Sequence, residues 1–218
     1  QVHGKAIDPN DFKPAIEAAM SENLAEIDKI ANNSATPNFE NTIAELERSG
    51  NALNRVSTIY GLWGGNMNDA EFSKVESEMD PKFAELSDKI IQNEKLFKRI
   101  EAVYESRNSS KLNAEQIRLV EDYYKSFVRS GAKLDGAKKT RLGEINQALA
   151  KLYTKFSQNL LADEGKTLVF ENEADLAGLP QSLKDGAAAS AAARKMSGKW
   201  AIVNTRSSVD PFLTYSER

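Results

Sequence analysis

Hydrophobic residues recur at steps of three and four along the first two-thirds of the chain, which is the period of an amphipathic helix. One such stripe runs from about Asp11 to Asn32, and a second begins at Asn38, a candidate N-cap, and continues to Tyr60. The later stripes each open at a residue type that favours helix N-termini: Asn68, Asn93, Asn113 and Asp135. The pattern therefore predicts six consecutive helices.

Three helix-breaking residues interrupt these stripes. Pro14 falls in the first turn predicted for the first helix, where its missing N–H costs little. Gly50 lies inside the second stripe, where glycine costs about 1 kcal/mol relative to alanine, so we expect another helix to approach it closely. Pro81 is expected to kink or divide the third helix.

The sixth stripe is the most regular, and the pattern changes after it, at Gly165. Two short runs rich in β-formers, residues 167–170 and 200–203, are predicted to be strands paired with each other, with an alanine-rich helix between them. The sequence thus predicts a mainly α fold with a small β element near residues 166–170 and 199–204. We expect a helical domain at 1–163 and a mixed segment at 164–218.

Composition narrows the classes of partner. The 218 residues carry a net charge of -3, whereas nucleic-acid binders usually show a basic excess, so no nucleic-acid partner is expected. No apolar run approaches the length of a membrane span, and the chain has no cysteine. These features favour the cytoplasm. The periplasm is the alternative, because the sequence starts at Gln1 and a signal peptide is removed from exported proteins.

The chain lacks the residues of a catalytic metal centre. Catalytic zinc usually takes three ligands from His, Cys and carboxylates, but the chain has one histidine, His3, and no His-Glu-x-x-His motif. The acidic residues alternate with apolar positions, as they do on solvated helix faces. We therefore assign no catalytic residue, no metal ligand and no cofactor bound by this chain.

Tyr60, Trp63 and Asn66 are the candidate substrate-facing residues. They fall where the second stripe ends in two glycines, so a flexible connection between helices is predicted there. Aromatic and amide side chains on such a connection suit contact with a peptide. The alternative is a packed turn between helices, which has no role in binding.

Several segments resemble the bacterial peptidyl-dipeptidase branch of the M3 zinc oligopeptidases. They are DFKPAIEAAM from Asp11, NFENTIAELERSG from Asn38, KLFKRIEAVYESRNSSKLNAEQIRLVEDYYKSFVRSGAKLD from Lys95, EINQALAKLYTKFSQNLLAD from Glu144 and FLTYSER from Phe212. Together they extend over nearly the whole chain and keep the family's order.

The resemblance implies an almost entirely helical enzyme of two lobes around a deep channel. Members of this branch remove C-terminal dipeptides from short peptides, using a zinc ion held by two histidines and a glutamate. None of those ligands has a counterpart here. The resemblance therefore implies that this chain is about the first third of such an enzyme, forming channel wall and lid. The missing catalytic region is then its partner, zinc is the parent enzyme's cofactor, and oligoendopeptidase activity is the alternative for the parent.

A different hypothesis is a free-standing, non-catalytic helical domain that binds other proteins. Ser216 and Glu217 are typical of a helix start, so a helix is expected to begin there. Because the sequence then stops at Arg218, this predicted helix has too few residues to bury a side, which favours a fragment. A fragment is also expected to expose apolar surface that the rest of the enzyme covers.

Overall fold

The computed structural model describes residues 7–217 and confirms the predicted mainly α fold with one small sheet. The chain folds into two compact units, and the boundary between them lies between Thr154 and Lys155. The elements, in chain order, are α1 (Pro9–Ala31), a π-helical turn (Phe39–Ala44), α2 (Glu45–Arg48), α3 (Asn51–Asn66), α4 (Ala70–Ile91), α5 (Glu94–Ser106), α6 (Ala114–Arg129), α7 (Gly136–Glu164), β1 (Thr167–Phe170), a 3-10 turn (Glu173–Leu176), α8 (Gln181–Ala193), β2 (Trp200–Val203) and α9 (Arg206–Tyr215).

Helix α1 begins two residues before its predicted start, because Asp8 and Asp11 form a reciprocal capping box. Pro14 consequently lies in the second turn of α1 and not in the first, so the prediction for this residue was wrong. Its nitrogen cannot donate to the carbonyl of Asn10, and the helix continues without that one hydrogen bond.

The second predicted helix is interrupted. Asn38 is its N-cap, as predicted, but the first residues form the π-helical turn, and Gly50 separates α2 from α3 with a left-handed φ of 73°. The expected close neighbour is present, since a Cβ on Gly50 would lie 3.1 Å from Nδ2 of Asn23 in α1. The glycine therefore serves a sharp change of direction as well as close packing.

The later helix starts were mostly predicted correctly. Asn93 and Asn113 are N-caps, and the Asp135 carboxylate accepts the backbone N–H of Lys138. The N-cap of α4 is Asp69 and not Asn68. Pro81 does not divide α4, which continues as one helix from Ala70 to Ile91.

Two apolar clusters form the core of the first unit. The first lies among α1, the π turn, α2, α5 and α6 and includes Ile43, Leu96 and Ile100, all fully buried. The second lies among α1, α3 and α4 and includes Ile16, Phe72 and Met79. Helix α1 contributes to both clusters, so it is the central element of the unit.

The Arg99 guanidinium connects the loop after α1 to the π turn. Its Nη1 donates to the carbonyl oxygens of Asn33 and Ala35, at 2.6 and 3.0 Å. Its Nη2 donates to Asn41 Oδ1 at 2.8 Å and to the Thr42 hydroxyl at 3.2 Å. The side chain is 6% exposed, and burial lowers the pKa of this guanidinium. Among the described residues, its partners are all neutral oxygens, and these stabilise a buried positive charge.

The second unit is built around the predicted two-stranded sheet. β1 and β2 pair antiparallel, with Thr167 opposite Val203 and Phe170 opposite Trp200. Helix α8 packs on β2 through small side chains, and Ala191 and Ala201 are buried there. Because α8 carries little side-chain bulk, its backbone lies close to the sheet.

The end of the described chain contacts the loop that follows the 3-10 turn. Ser216 follows the last residue of α9 and is extended, a conformation that N-cap residues also adopt, so a helix start at Ser216 stays a prediction. The backbone N–H of Glu217 donates to the Ala177 carbonyl at 3.2 Å. Gly178 permits this contact, because a Cβ at its φ of 83° would lie 2.2 Å from the Tyr215 carbonyl oxygen.

Replacing Arg99 by alanine is expected to lower the free energy of unfolding of the first unit by about 3 kcal/mol, because the loop after α1 and the π turn lose the charged donor that they share. Urea denaturation followed by circular dichroism measures this loss. Lys98→Ala, at the exposed neighbouring position, serves as the control and is expected to change stability little. Equal losses in the two variants would show that the guanidinium does not hold these segments together.

Candidate functional site

The three predicted substrate-facing residues lie in helix α3 and not in a connection between helices. Helix α3 continues through Gly64 and Gly65 to Asn66, so the prediction of a flexible connection was wrong. The ring centroids of Tyr60 and Trp63 lie 5.8 and 5.5 Å from that of Phe12 in α1. Both aromatic side chains are half-buried in the second apolar cluster.

Asn66 has different surroundings. It is exposed at the last residue of α3, and its Nδ2 donates to the Leu62 carbonyl at 2.8 Å. The structure thus brings Tyr60 and Trp63 together on the inner side of α3, while Asn66 lies at the helix end. Contact of any of the three with a peptide stays a prediction.

Tyr60 and Thr154 share one carboxylate. The Tyr60 hydroxyl donates to Asp80 Oδ1 at 2.8 Å, and the Thr154 hydroxyl donates to Asp80 Oδ2 at 2.6 Å. Burial raises the pKa of Tyr60, and the Asp80 charge raises it further. The phenol therefore stays protonated and acts as a hydrogen-bond donor, which joins α3 and α7 through α4.

Polar groups that lack full hydrogen bonding lie beside this network. The Trp63 indole N–H is buried and donates to no atom among the described residues. Glu76 accepts from Asn68 Nδ2 at 2.8 Å. Burial raises the pKa of Glu76, the hydrogen bond from Asn68 opposes that rise, and the charge of Asp80 adds to it.

Helix α7 turns its apolar stripe outward. It has no buried residue, and Leu152 and Tyr153 are 63% and 68% exposed. The other exposed apolar side chains of the helix are Ile145, Leu149, Phe156, Leu160 and Leu161. Surface helices of globular proteins normally place such a stripe against a core. We call the part of this stripe within the first unit, Ile145, Leu149, Leu152 and Tyr153, the α7 face.

Polar contacts attach α7 to α4. Besides the pair of Thr154 with Asp80, Asn146 Nδ2 donates to Asp88 Oδ1 at 2.6 Å. The other oxygen of Asp88 is buried and accepts no hydrogen bond among the described residues. An interface of this kind gains little from apolar burial, so the hydrophobic surface of α7 remains available to another partner.

Residues 7–217 do not fit a catalytic zinc ion. Within that range, no three His, Cys, Asp or Glu side chains form a group that could hold a metal, whereas catalytic zinc takes three protein ligands. His3, the one histidine of the chain, lies outside the described residues. A separate search of the same part of the chain finds no helix with the length and apolar content needed to cross a bilayer.

The architecture and sequence together define the class of protein. The family model for the N-terminal domain of neurolysin and thimet oligopeptidase matches residues 16–139, more than half of the chain. The chain belongs to this family, the M3 oligopeptidases, and the predicted resemblance is confirmed.

Individual relatives resemble the chain over nearly its whole length. It is 36% identical to the dipeptidyl carboxypeptidase of Escherichia coli (strain K12), over 97% of this chain and 31% of that protein. It is 32% identical to the dipeptidyl carboxypeptidase of Salmonella typhimurium, over 93% and 30%. Identity to oligopeptidase A of Salmonella typhimurium is 27%, over 97% and 31%. The chain thus spans about a third of the length of the curated relatives it matches.

Sequence reasoning missed the polar attachment of α7. Asp80 and Asp88 are eight residues apart on α4, and Asn146 and Thr154 are eight residues apart on α7. This common spacing is a signal in the sequence, because side chains a little over two turns apart lie on the same side of a helix.

Replacing Glu76 by glutamine is expected to stabilise the protein at neutral pH by less than about 1 kcal/mol, since solvent screens part of the cost of the charge. The folded-state pKa is raised, so the charged carboxylate opposes folding. That penalty is absent below the unfolded-state pKa and complete above the folded-state pKa. The gain should therefore disappear on acidification.

Urea denaturation from acidic to neutral pH measures this difference between the wild type and Glu76→Gln. The exposed Glu22 of α1 provides the control variant Glu22→Gln, for which little change is expected. A stability gain that does not depend on pH would contradict the argument from burial.

Proposed function

We propose that this chain is the N-terminal helical region of a zinc-dependent M3 oligopeptidase that removes C-terminal dipeptides from short peptides. In this assignment the helices form part of the wall and lid of the peptide channel. The region that completes the enzyme supplies the zinc ligands and the hydrolytic chemistry. The proposal therefore gives this chain a role in enclosing substrate and none in bond cleavage.

The observation that carries the proposal is the similarity to two dipeptidyl carboxypeptidases over at least 93% of the chain. The weaker similarity to oligopeptidase A supports the same family but makes cleavage within peptides the competing specificity. The absence of a fitting group for zinc within residues 7–217 is compatible with a catalytic centre elsewhere in a longer protein.

The α7 face supports the proposed partner. Four large apolar side chains exposed along one helix resemble an interaction surface more than the surface of a complete monomer. The relatives are about three times as long as this chain, so the remaining two-thirds of such a protein is the partner we propose for this face. Its contact would bury apolar surface that α4 leaves uncovered.

The predicted substrate contacts of Tyr60, Trp63 and Asn66 belong to this proposal. Asn66 is exposed, whereas the two aromatic side chains are half-buried. A peptide in the channel would therefore reach only part of each ring. The Tyr60 hydrogen bond and the packing of both rings position α3, and that position would in turn shape the channel wall.

The proposed function is tested by reading the coding sequence beyond Arg218 for His-Glu-x-x-His and producing the region that follows as a separate protein. Mixing it with the 218-residue chain is expected to give a zinc-dependent complex that releases C-terminal dipeptides from short peptides. Mass spectrometry of the products distinguishes dipeptide release from internal cleavage. A coding sequence without the motif would favour the free-standing interaction domain.

Replacing Leu152 by aspartate is expected to weaken association with that catalytic region at least about tenfold. Loss of one buried leucine removes roughly 1.5–3 kcal/mol, and each 1.4 kcal/mol corresponds to about a tenfold change in affinity. Isothermal titration calorimetry measures the change. Gln147→Asp adds the same charge to an exposed polar position of α7 and should bind as the wild type does. Equal affinity of the two variants would remove the α7 face from the interface.

A further inference from the structure

The second unit contains a small pocket between α8, β2 and α9, which we call the α8–α9 pocket. Its volume is about 230 Å³, below the roughly 300 Å³ at which pockets for small-molecule ligands begin. Its apolar wall includes Leu179, Leu183, Ile202 and Phe212, and no charged residue within residues 7–217 lines it. The pocket is therefore suited to one large side chain and not to a whole ligand.

The hydroxyl groups that line the pocket are mostly engaged within the protein. Ser190 Oγ accepts a hydrogen bond from Arg194 Nη1 at 2.9 Å. The hydroxyl oxygens of Ser207 and Ser208 each lie 3.3 Å from that of Thr205. A polar group entering the pocket would lose water and find few partners in exchange. The pocket consequently favours an apolar group.

Gly186 keeps the pocket open at a cost to α8. It lies in the interior of the helix, where glycine is less stable than alanine. A Cβ at this position would meet no described atom within 4 Å, and the φ of Gly186 is not left-handed. Neither packing nor backbone conformation within residues 7–217 therefore requires glycine here. A larger side chain would, however, occupy the space in front of the helix.

The last described residues pass close to this pocket. The backbone N–H of Glu217 donates to the carbonyl of Ala177, two residues before Leu179 of the pocket wall. Helix α9, which forms another wall, also exposes Leu213 and Tyr215, by 71% and 50%. In a longer protein, the chain would therefore continue from a point beside an open apolar pocket.

We propose that the α8–α9 pocket receives one large apolar side chain from the segment that follows Arg218 in the longer protein. This inference rests on the proposed function for the existence of that segment. It concerns the second unit, whereas the α7 face belongs to the first. A short connection holds the side chain near the pocket at high effective concentration, so modest apolar contact is sufficient for occupancy. The side chain anchors the segment as buried side chains anchor an interface.

A thiol introduced into the pocket tests whether it is filled, because the chain has no cysteine of its own. Ser182→Cys lies at an exposed position of the pocket wall. Its alkylation by iodoacetamide, followed by mass spectrometry of the peptide that carries it, is compared in the 218-residue chain and in the whole protein that the gene encodes. The reaction is expected to be at least tenfold slower in the whole protein.

Ala189→Cys is the control, since Ala189 is exposed on α8 but does not line the pocket. It should react at similar rates in the two proteins. Equal rates for Ser182→Cys in both proteins would overturn the inference. Equal protection of the two positions would also overturn it, because that result indicates a cover over the whole helix and not a filled pocket.

Two variants at Gly186 test whether the space itself is needed. Gly186→Ala and Gly186→Leu should each raise the thermal midpoint of the second unit in the 218-residue chain, since both remove a glycine from the helix. In the whole protein, Gly186→Ala should keep this gain. Gly186→Leu should instead lower the midpoint below that of the wild type, because leucine excludes the incoming side chain. Gains from both variants in the whole protein would contradict the proposal.

These measurements require neither zinc nor peptide hydrolysis. A negative result would leave the proposed peptidase function standing, because a catalytic region need not use this pocket. Conversely, a gene that continues beyond Arg218 without His-Glu-x-x-His would overturn the proposed function, while slower alkylation of Ser182→Cys would still support the filled pocket.

Discussion

The buried guanidinium of Arg99 is the interaction on which the arrangement of the first unit depends. It joins the loop that follows α1 to the π turn that precedes α2, using carbonyl, amide and hydroxyl oxygens and, within residues 7–217, no carboxylate. These contacts specify one arrangement of the two segments, because the guanidinium charge is stabilised only when each oxygen lies at its own position. The anchor therefore fixes the position of the π turn relative to the end of α1.

Helix α7 contacts its neighbour mainly through polar side chains. Its polar side chains face α4, and much of its apolar side is exposed. A globular protein with this orientation loses the stabilisation that burial of the apolar side of α7 would give. Under the proposed function, the remaining region of a longer protein would cover this exposed side of α7.

Much of the fold could be predicted from local signals. The caps at Asn38, Asn93 and Asn113 and the pairing of the two β-rich runs were predicted correctly, because these features depend on neighbouring residues or on strong propensities. The break at Gly50 and the continuity of α3 through Gly64 and Gly65 were not. A glycine in sequence can permit a left-handed turn, a helix or a close approach, and only the surrounding packing decides among them.

The candidate site was less predictable for the same reason. Tyr60 was predicted to belong to the site, but its partner Asp80 is distant in sequence and its burial depends on α1, α4 and α7 together. The polarity of a residue does not reveal whether its partner is water, a peptide or another helix.

The indole N–H of Trp63, which has no acceptor within residues 7–217, makes this side chain a fluorescent probe that is part of the protein. An indole in apolar surroundings, without an acceptor, fluoresces at shorter wavelength than one that donates a hydrogen bond or meets water. The chain's other tryptophan, Trp200, lies in β2 within the second unit. Replacing either tryptophan by phenylalanine therefore leaves emission from the other as a probe of its own unit, without any attached dye.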